Sequence, residues 1–513
     1  MKKVISLLLA AFMIFGLTAC GPAAEETPSN SVVPDDGGTS AAPDSSEGVI
    51  DFDEDPYEVS IQFVGLFETN NDIENVEAAL NEITLDKINC TVDIVPVFIG
   101  DLASTTTMGV AGNEKMDIVV AGLTSSMVSL VSDEVLLPLD DLLAERGQAA
   151  LEATANVAEA QKVDGVTYAI SGYPYAALGA GFVYNKDMAE EYNIDMHDGM
   201  TMEDLTAIGE ILKEHGVYLT THGNSVQNYY KYFCGGDFFG STAEYGGILD
   251  PVNSTTIVNV YDTQEMRDFF KVLKNWTDSG YMPSDQLTDT TTAQQYFMQQ
   301  HIFGSSTTYD PGQIASWVNP DFEVDIVRLN NPVISTSSVN EFMLGIAANC
   351  ERPDKAMDLI NLIYSDPDVV NLLQYGLEGT DYVAVEGTEN VITRDGTPNA
   401  DMSGYYSSFV RYGSQMDRKI MAPLTDSYYD DLQAFEDSAE KSQSFGYIFT
   451  ADGFGAETGA ISSVLSQRLP MLSAGLVENV DTAVDELVAA LEDAGINDVI
   501  AANQAALDTY LGK

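Results

Sequence analysis

The sequence predicts an α/β protein of two lobes, each a mostly parallel sheet flanked by helices, with several chain crossings between them and a helical C-terminus. Three observations carry that expectation. The 513 residues exceed the roughly 250 to 300 at which a single core stops growing. Early in the chain, apolar β-branched runs alternate with helical periodicity, the pattern of parallel βαβ units. Strand-like runs then return on the far side of a helix-rich middle, which makes the chain pass through each lobe more than once.

Residues 1–19 have the form of a signal peptide: basic Lys2 and Lys3, then the apolar run "VISLLLAAFMIFGL", too short to span a bilayer comfortably. The run closes in "LTAC", which resembles the lipobox of bacterial lipoproteins and implies lipid on Cys20. Residues 20–56 are rich in Pro, Ser, Gly and acid with little to bury, and read as a disordered acidic tether. Asp51, Asp53 and Asp55 mimic the start of a calcium loop, but Pro56 stands where the turn glycine belongs, so they read as a solvated charge run.

The body opens with the strand "YEVSIQFVGLF". The next segment places Ile73, Val76, Leu80 and Ile83 on one helical face. "TVDIVPVF" and "MDIVVAGL" follow as strands. In such sheets ligands sit beyond the carboxyl ends, which makes "LFETNND", with Glu68, Thr69 and Asn70, and "GLTSSM", with Ser125 and Ser126, candidate walls of a site.

In the middle, Thr201 three residues before Asp204 forms a variant capping box, and the helix stops near Gly216. "VYLTTHG" is expected as a strand. A second helix carries Leu273 and Trp276 on its apolar side, and Trp276 is expected in the core. "AQQYFMQQHIFGSSTTYDPGQIASW" reads as helix, strand, loop and a helix started by Pro311. "VDIVRLN" and "EFMLGIAAN" return as strands. Two helices separated by Asp366 and Pro367 follow, then the helical C-terminal third. The lobes are expected as 57–183 with about 328–382, and 184–327 with about 383–513.

With 22 basic against 80 acidic residues the formal charge is −58, which repels nucleic acid and anionic headgroups. The cysteines beyond Cys20 are Cys90, Cys234 and Cys350, an odd number without CxxC spacing. Buried thiols are the default reading, and one disulfide from two of the three stays open. The histidines are scattered, with no HExxH, GxSxG or phosphate-loop motif, so neither a metal nor a cofactor is expected. "GFGAETG" lacks the spacing of a dinucleotide fingerprint and reads as a turn before a helix. The chain offers aromatic residues instead: 25 Tyr, 21 Phe and 2 Trp, several in loops beside small residues. Sugar C–H faces lie on such rings while hydroxyls need polar partners.

The stretch "DGVTYAISGYPYAALGAGFVYNKDMAEEYNID" is similar to a segment of the extracellular solute-binding proteins of ABC importers, in their maltodextrin-binding-like carbohydrate group. "NCERPDKAMDLINLIYSDPDVVNLLQYGLEGTDY" resembles the helices and turn of its lipoprotein members, and "AQQYFMQQHIFGSSTTYDPGQIASW" its strand followed by an aromatic loop. The resemblance implies a two-lobed clamp, like the periplasmic binding proteins, that closes on an oligosaccharide or other sugar and delivers it to an ABC permease without chemistry. It implies a monomer, held at the extracytoplasmic face of the membrane only through lipid on Cys20, with no nucleic-acid partner. It places Tyr173, Tyr175, Tyr309 and Asp310 against the ligand, with Tyr184, Asn185 and Lys186 at the hinge. Tyr229, Tyr230 and Trp317 are further candidates for the walls. A secreted carbohydrate-active enzyme, a peptide-binding receptor and a glycan-presenting surface module are the competing readings.

Overall fold

The computed structural model describes residues 48–513 except 66–71, 173–174, 222–234, 241, 290, 320, 401–403, 406–412, 414–415 and 417. Cys20, Glu68, Thr69, Asn70, Tyr173, Tyr229, Tyr230 and Cys234 lie outside the described residues. Among the described residues, no helix is long and apolar enough to cross a membrane.

The first sheet contains β1 (Tyr57–Gly65), β2 (Cys90–Phe98), β3 (Ile118–Gly122), β4 (Ala169–Ser171) and β9 (Phe342–Ile346), in the order β2-β1-β3-β9-β4. β1 pairs parallel with β2 and β3, while β9 runs antiparallel to both β3 and β4. Helix α1 (Ile73–Ile88) buries Val76, Leu80, Thr84 and Ile88, one residue per turn, against this sheet. Its apolar core continues into α5 (Pro353–Ser365) and α6 (Pro367–Tyr375). Asp366 caps α6 by accepting the Asp368 N–H at 3.0 Å, and Pro367 occupies the first helical turn, where no donor is needed.

The second sheet is built on β5 (Ala177–Asn185), which pairs antiparallel with β6 (Gly304–Tyr309), β7 (Val324–Arg328) and β8 (Val333–Ile334). β8 in turn pairs parallel with β10 (Glu440–Lys441). The mostly parallel arrangement expected for both lobes is therefore limited to part of the first. β-branched composition reports burial, not direction, and long excursions between these strands leave either direction open. β5, β7 and β8, which include residues assigned from sequence to the first lobe, all lie in this second sheet. Its core joins α2 (Met202–Glu214), α3 (Gln264–Ser279) and the C-terminal helices α8 (Gly455–Ser473), α9 (Val480–Asp493) and α10 (Ile496–Tyr510). The Thr201–Asp204 capping box is present at α2. Of the expected strand, the described residues Val217–Thr221 give a single bridge, Tyr218 to Ile302, and only a 3-10 turn, Gln313–Trp317, forms after Pro311.

Three passages join the sheets. The chain crosses from β4 to β5, returns from β8 through the short helix α4 (Thr336–Val339) to β9, and crosses again through α7 (Tyr428–Ser438) to β10.

Residues 48–56, assigned from sequence to the tether, are docked on the first lobe. Gly48 N–H donates to the Glu145 carbonyl at 2.9 Å, and Asn89 Nδ2 donates to the carbonyls of Asp51 and Glu54 at 2.9 and 3.0 Å. Glu54 pairs with Arg352 at 3.1 Å and with Lys355 at 2.8 Å, and Lys355 is 2% exposed. Loop composition identifies a segment with little to bury, but its backbone groups and the one side chain of Ile50, packed against the first core, are enough to dock it.

Arg352 and then Lys355, both bonded to Glu54, hold its carboxyl below the ordinary 4.5. A depressed folded pKa stabilises the fold above the unfolded value, and that contribution disappears as pH falls through the folded one. The unfolding midpoint of Glu54→Gln is accordingly expected to fall below wild type at neutral pH, with the gap closing below pH 4.5. Trp276 is fully buried and its Nε1 donates to Thr206 Oγ1 at 2.7 Å. Trp276→Ala is expected to cost about 3–5 kcal/mol in urea unfolding.

Candidate functional site

β3 ends at Gly122 with φ 100°, a backbone conformation that a side chain strains. A Cβ there would stand 2.4 Å from the Glu341 carbonyl oxygen, so glycine allows the β3 turn to lie against the start of β9. The turn presents Leu123 to Ser126. Ser126 Oγ accepts the Ser129 N–H at 3.1 Å and starts the helix Met127–Ser132.

These residues form one wall of a cleft of about 1160 Å³ between the sheets. Opposite them stand Leu178, Gly179 and Ala180 of β5, Thr308 of β6, and Asn330 and Asn331. Asn330 Oδ1 accepts the Ala180 N–H at 2.8 Å, which fixes the carboxamide at the edge of β5. The passage between β8 and β9 adds a run of hydroxyls, Ser335 to Ser338.

The hairpin of Asp237–Phe238 and Gly247–Ile248 closes one end together with Tyr447 to Thr450. Tyr245 meets Phe449 edge-on with ring centroids 5.7 Å apart, and Phe239 meets Tyr447 in the same way at 5.7 Å. Tyr447 donates to Asn503 Oδ1 at 2.7 Å, which holds the pair in place. The Asp237 carboxylate accepts Ser444 Oγ at 2.7 Å and Ser442 Oγ at 3.2 Å, and burial raises its pKa. Glu244 accepts the Thr242 N–H at 2.7 Å.

The walls thus combine hydroxyls, carboxamides, carboxylates and aromatic rings. This set suits a polyhydroxylated ligand, whose O–H groups need acceptors and donors and whose C–H faces lie on rings. Among the described residues no group of three or more His, Cys, Asp or Glu could hold a metal ion.

Of the described candidates, Ser125 lines this cleft. Tyr175 is buried in the first crossing, and its hydroxyl lies 3.2 Å from Gln433 Oε1. Tyr309 is half-buried against Phe435, ring centroids 5.5 Å apart, and its neighbour Asp310 accepts the Gly312 N–H at 2.7 Å in a turn. Trp317 packs edge-on to Phe297 in a satellite core, at 5.4 Å. None of these four is among the cleft-lining residues.

The hinge trio lies at the opposite end of β5 from the crossing. Tyr184 donates to Asp325 at 3.3 Å, Asn185 caps Lys186–Tyr192, and Lys186 pairs with Glu323 at 3.1 Å. The passage between sheets falls instead between Ser171 and Ala177, because antiparallel partners hold β5 to its last residue. Cys90 is buried and Cys350 half-buried, both as thiols. Burial raises the Cys90 thiol to about 12.

The sequence reading passed over Asn330, Asn331, the hydroxyl run "STSS" and the Asp237–Glu244 hairpin. A hydroxyl-only run between two apolar strands was the available signal for Ser335 to Ser338.

Comparison with known proteins bears on most of the chain. Residues 78–380 match the family model described as bacterial extracellular solute-binding protein, and 443–512 match a domain of unknown function. A carbohydrate ABC transporter substrate-binding protein of Streptococcus pneumoniae is 24% identical over 435 residues, 83% of this chain and 85% of that one. Among solved structures, an N-glycan transport solute binding protein of Streptococcus pneumoniae superposes with a TM-score of 0.78 at 21% identity, covering 89% of this chain and 99% of that one. An HMO-binding, ABC-transporter-associated solute binding protein of Bifidobacterium longum infantis gives 0.62 at 15%, with coverage of 89% and 99%. These structural likenesses are of two-lobed fold.

Gly122→Ala is expected to lower stability by about 1–3 kcal/mol, since the new methyl group meets the Glu341 carbonyl in a left-handed conformation. Thermal unfolding measures the loss.

Proposed function

The chain belongs to the family of bacterial extracellular solute-binding proteins, and on that premise we propose that it is a receptor that captures a glycan between its lobes and delivers it to an ABC permease. One observation supports this most: a cleft of about 1160 Å³ whose two walls come from different sheets and carry hydroxyls, carboxamides and aromatic rings. A volume of this order holds an oligosaccharide. Two walls that can move relative to each other allow capture by closure. The relatives' names agree with a carbohydrate cargo, and one solved relative is described in complex with Man1GlcNAc.

Ser125 and Ser126 on the first lobe, with Thr308, Asn330 and Asn331 on the second, are the polar contacts this reading assigns. Tyr245 and Phe449 supply ring surface. The lipobox-like "LTAC" supports lipid on Cys20 as the attachment to the extracytoplasmic face.

Binding is tested by following thermal unfolding of the full-length protein against Man1GlcNAc, other neutral and acidic oligosaccharides, amino acids and peptides. A ligand at one hundred times its Kd adds about 2.7 kcal/mol to stability. That amount raises the midpoint by a few degrees. A shift confined to glycans, with the glycan recovered intact, is the expected outcome. Response to peptides alone would move the protein to another transporter class, and a glycan recovered cleaved would make it an enzyme.

A further inference from the structure

The three passages between the sheets meet at one backbone position. Ala176 and Ala177, where the first crossing enters β5, both donate their N–H groups to Glu436 Oε2, at 3.0 and 2.7 Å. Glu436 sits on α7, in the third crossing. The Ala176 carbonyl accepts the hydroxyl of Ser338 at 2.6 Å, and Ser338 belongs to α4, in the second crossing.

Ala176 is 1% exposed and packs with Val339 of the same passage. Ser338 is itself fixed, since its N–H donates to Ser335 Oγ at 3.2 Å. One alanine peptide is therefore gripped on its donor side by one crossing and on its acceptor side by another.

Without Glu436 two buried N–H groups would lose their shared acceptor, and the bond of the Tyr175 hydroxyl to Gln433 Oε1 at 3.2 Å ties α7 to the first crossing beside it. Side chains are used here because the crossings cannot pair as strands at this point. β8 and β5 pair only at Ile334–Ala177 and Val333–Leu178, and the ladder stops where the passages leave the sheet.

We infer that Glu436 and Ser338 are positioning residues: they clip the three crossings into a single hinge at Ala176, so that the lobes rotate about one point and the two walls of the cleft meet in one register. Glu436 is not among the cleft-lining residues, and Ser338, which is, has its hydroxyl committed to the Ala176 carbonyl. Their effect on binding passes through the fraction of molecules whose walls are correctly opposed, and a fall of that fraction to a tenth weakens apparent affinity about ten-fold.

The direct test reads lobe geometry with no ligand present. Spin labels carried by an unnatural amino acid replace Glu82 on α1 and Asp268 on α3, both exposed and on different lobes. Pulsed electron resonance then gives the distance distribution between them. Glu436→Ala and Ser338→Ala are each expected to widen it, whereas Glu436→Gln, which keeps an acceptor oxygen at the same place, restores the wild-type width. A merely structural role would lower the unfolding midpoint and leave this width unchanged, so equal widths in wild type and both alanine variants overturn the inference. So does a Glu436→Gln variant as broad as Glu436→Ala. Should Glu436→Ala fail to fold, Ser338→Ala and Glu436→Gln decide by the same widths.

The second arm rests on the receptor reading and uses Man1GlcNAc as the probe, with affinity expected to fall up to about ten-fold in the alanine variants and to return within about two-fold in Glu436→Gln. Unchanged affinity in a variant with widened distances overturns the link from hinge to binding. Absence of Man1GlcNAc binding in wild type counts against that cargo alone, while the distances still decide the hinge.

Discussion

Strand β5 is the constraint on which the second lobe and the cleft depend. It pairs with β6 and β7 through residues 179–185 and with β8 at its first two positions, so most of its backbone donors and acceptors are used within the sheet. Such close pairing needs small residues. A Cβ on Gly181 would come within 3.1 Å of Ile326 and 3.2 Å of Tyr309. The strand therefore combines bulky Phe182 and Val183, which feed two cores, with Gly181, which lets its neighbours close over it. Its first residues form part of the cleft wall and its last one caps a helix. A single strand thus connects hinge, site and core.

The charge balance acquires a structural meaning in the folded chain. With 22 bases for 80 acids, several bases are used to join elements distant in sequence. Arg146 bonds Asp358 at 3.1 Å and Arg267 bonds Asp485 at 2.8 Å, while Lys87 pairs with Asp366, the cap of α6. Each of these bases is at least partly shielded or holds a helix end, where a fixed partner counts for more than on an open surface. Among the described residues the remaining acid lies mainly on exposed faces, where like charge disfavours self-association.

Much of the fold was legible because its signals are local. The face of α1, the Thr201 capping box and the Asp366–Pro367 start each depend on residues within one or two helical turns, and each stands in the structure as read. The turn after β3 was legible too, since a strand end beside Gly and two serines needs no distant partner to be recognised. What failed depended on distance. Trp317 reads as a wall candidate at the end of a helix until Phe297 and Phe322 are brought to it, and Tyr309 as a ligand contact until Phe435 arrives from another crossing. The place where the chain passes between the sheets was hidden for the same reason. "YNKD" ends an apolar run, but whether that end faces the other lobe is decided by β6 and β7, more than a hundred residues later.

The docked segment 48–56 touches Glu145, Asn89, Arg352 and Lys355, all of the first lobe, at the pole where β1 and β2 begin. The cleft opens at the other pole, where β3 ends and β9 starts. The segment that leads into β1 is therefore bonded to the first lobe and stands away from the mouth of the cleft. On the proposed receptor reading, a movement of the second lobe leaves these bonds of the first intact.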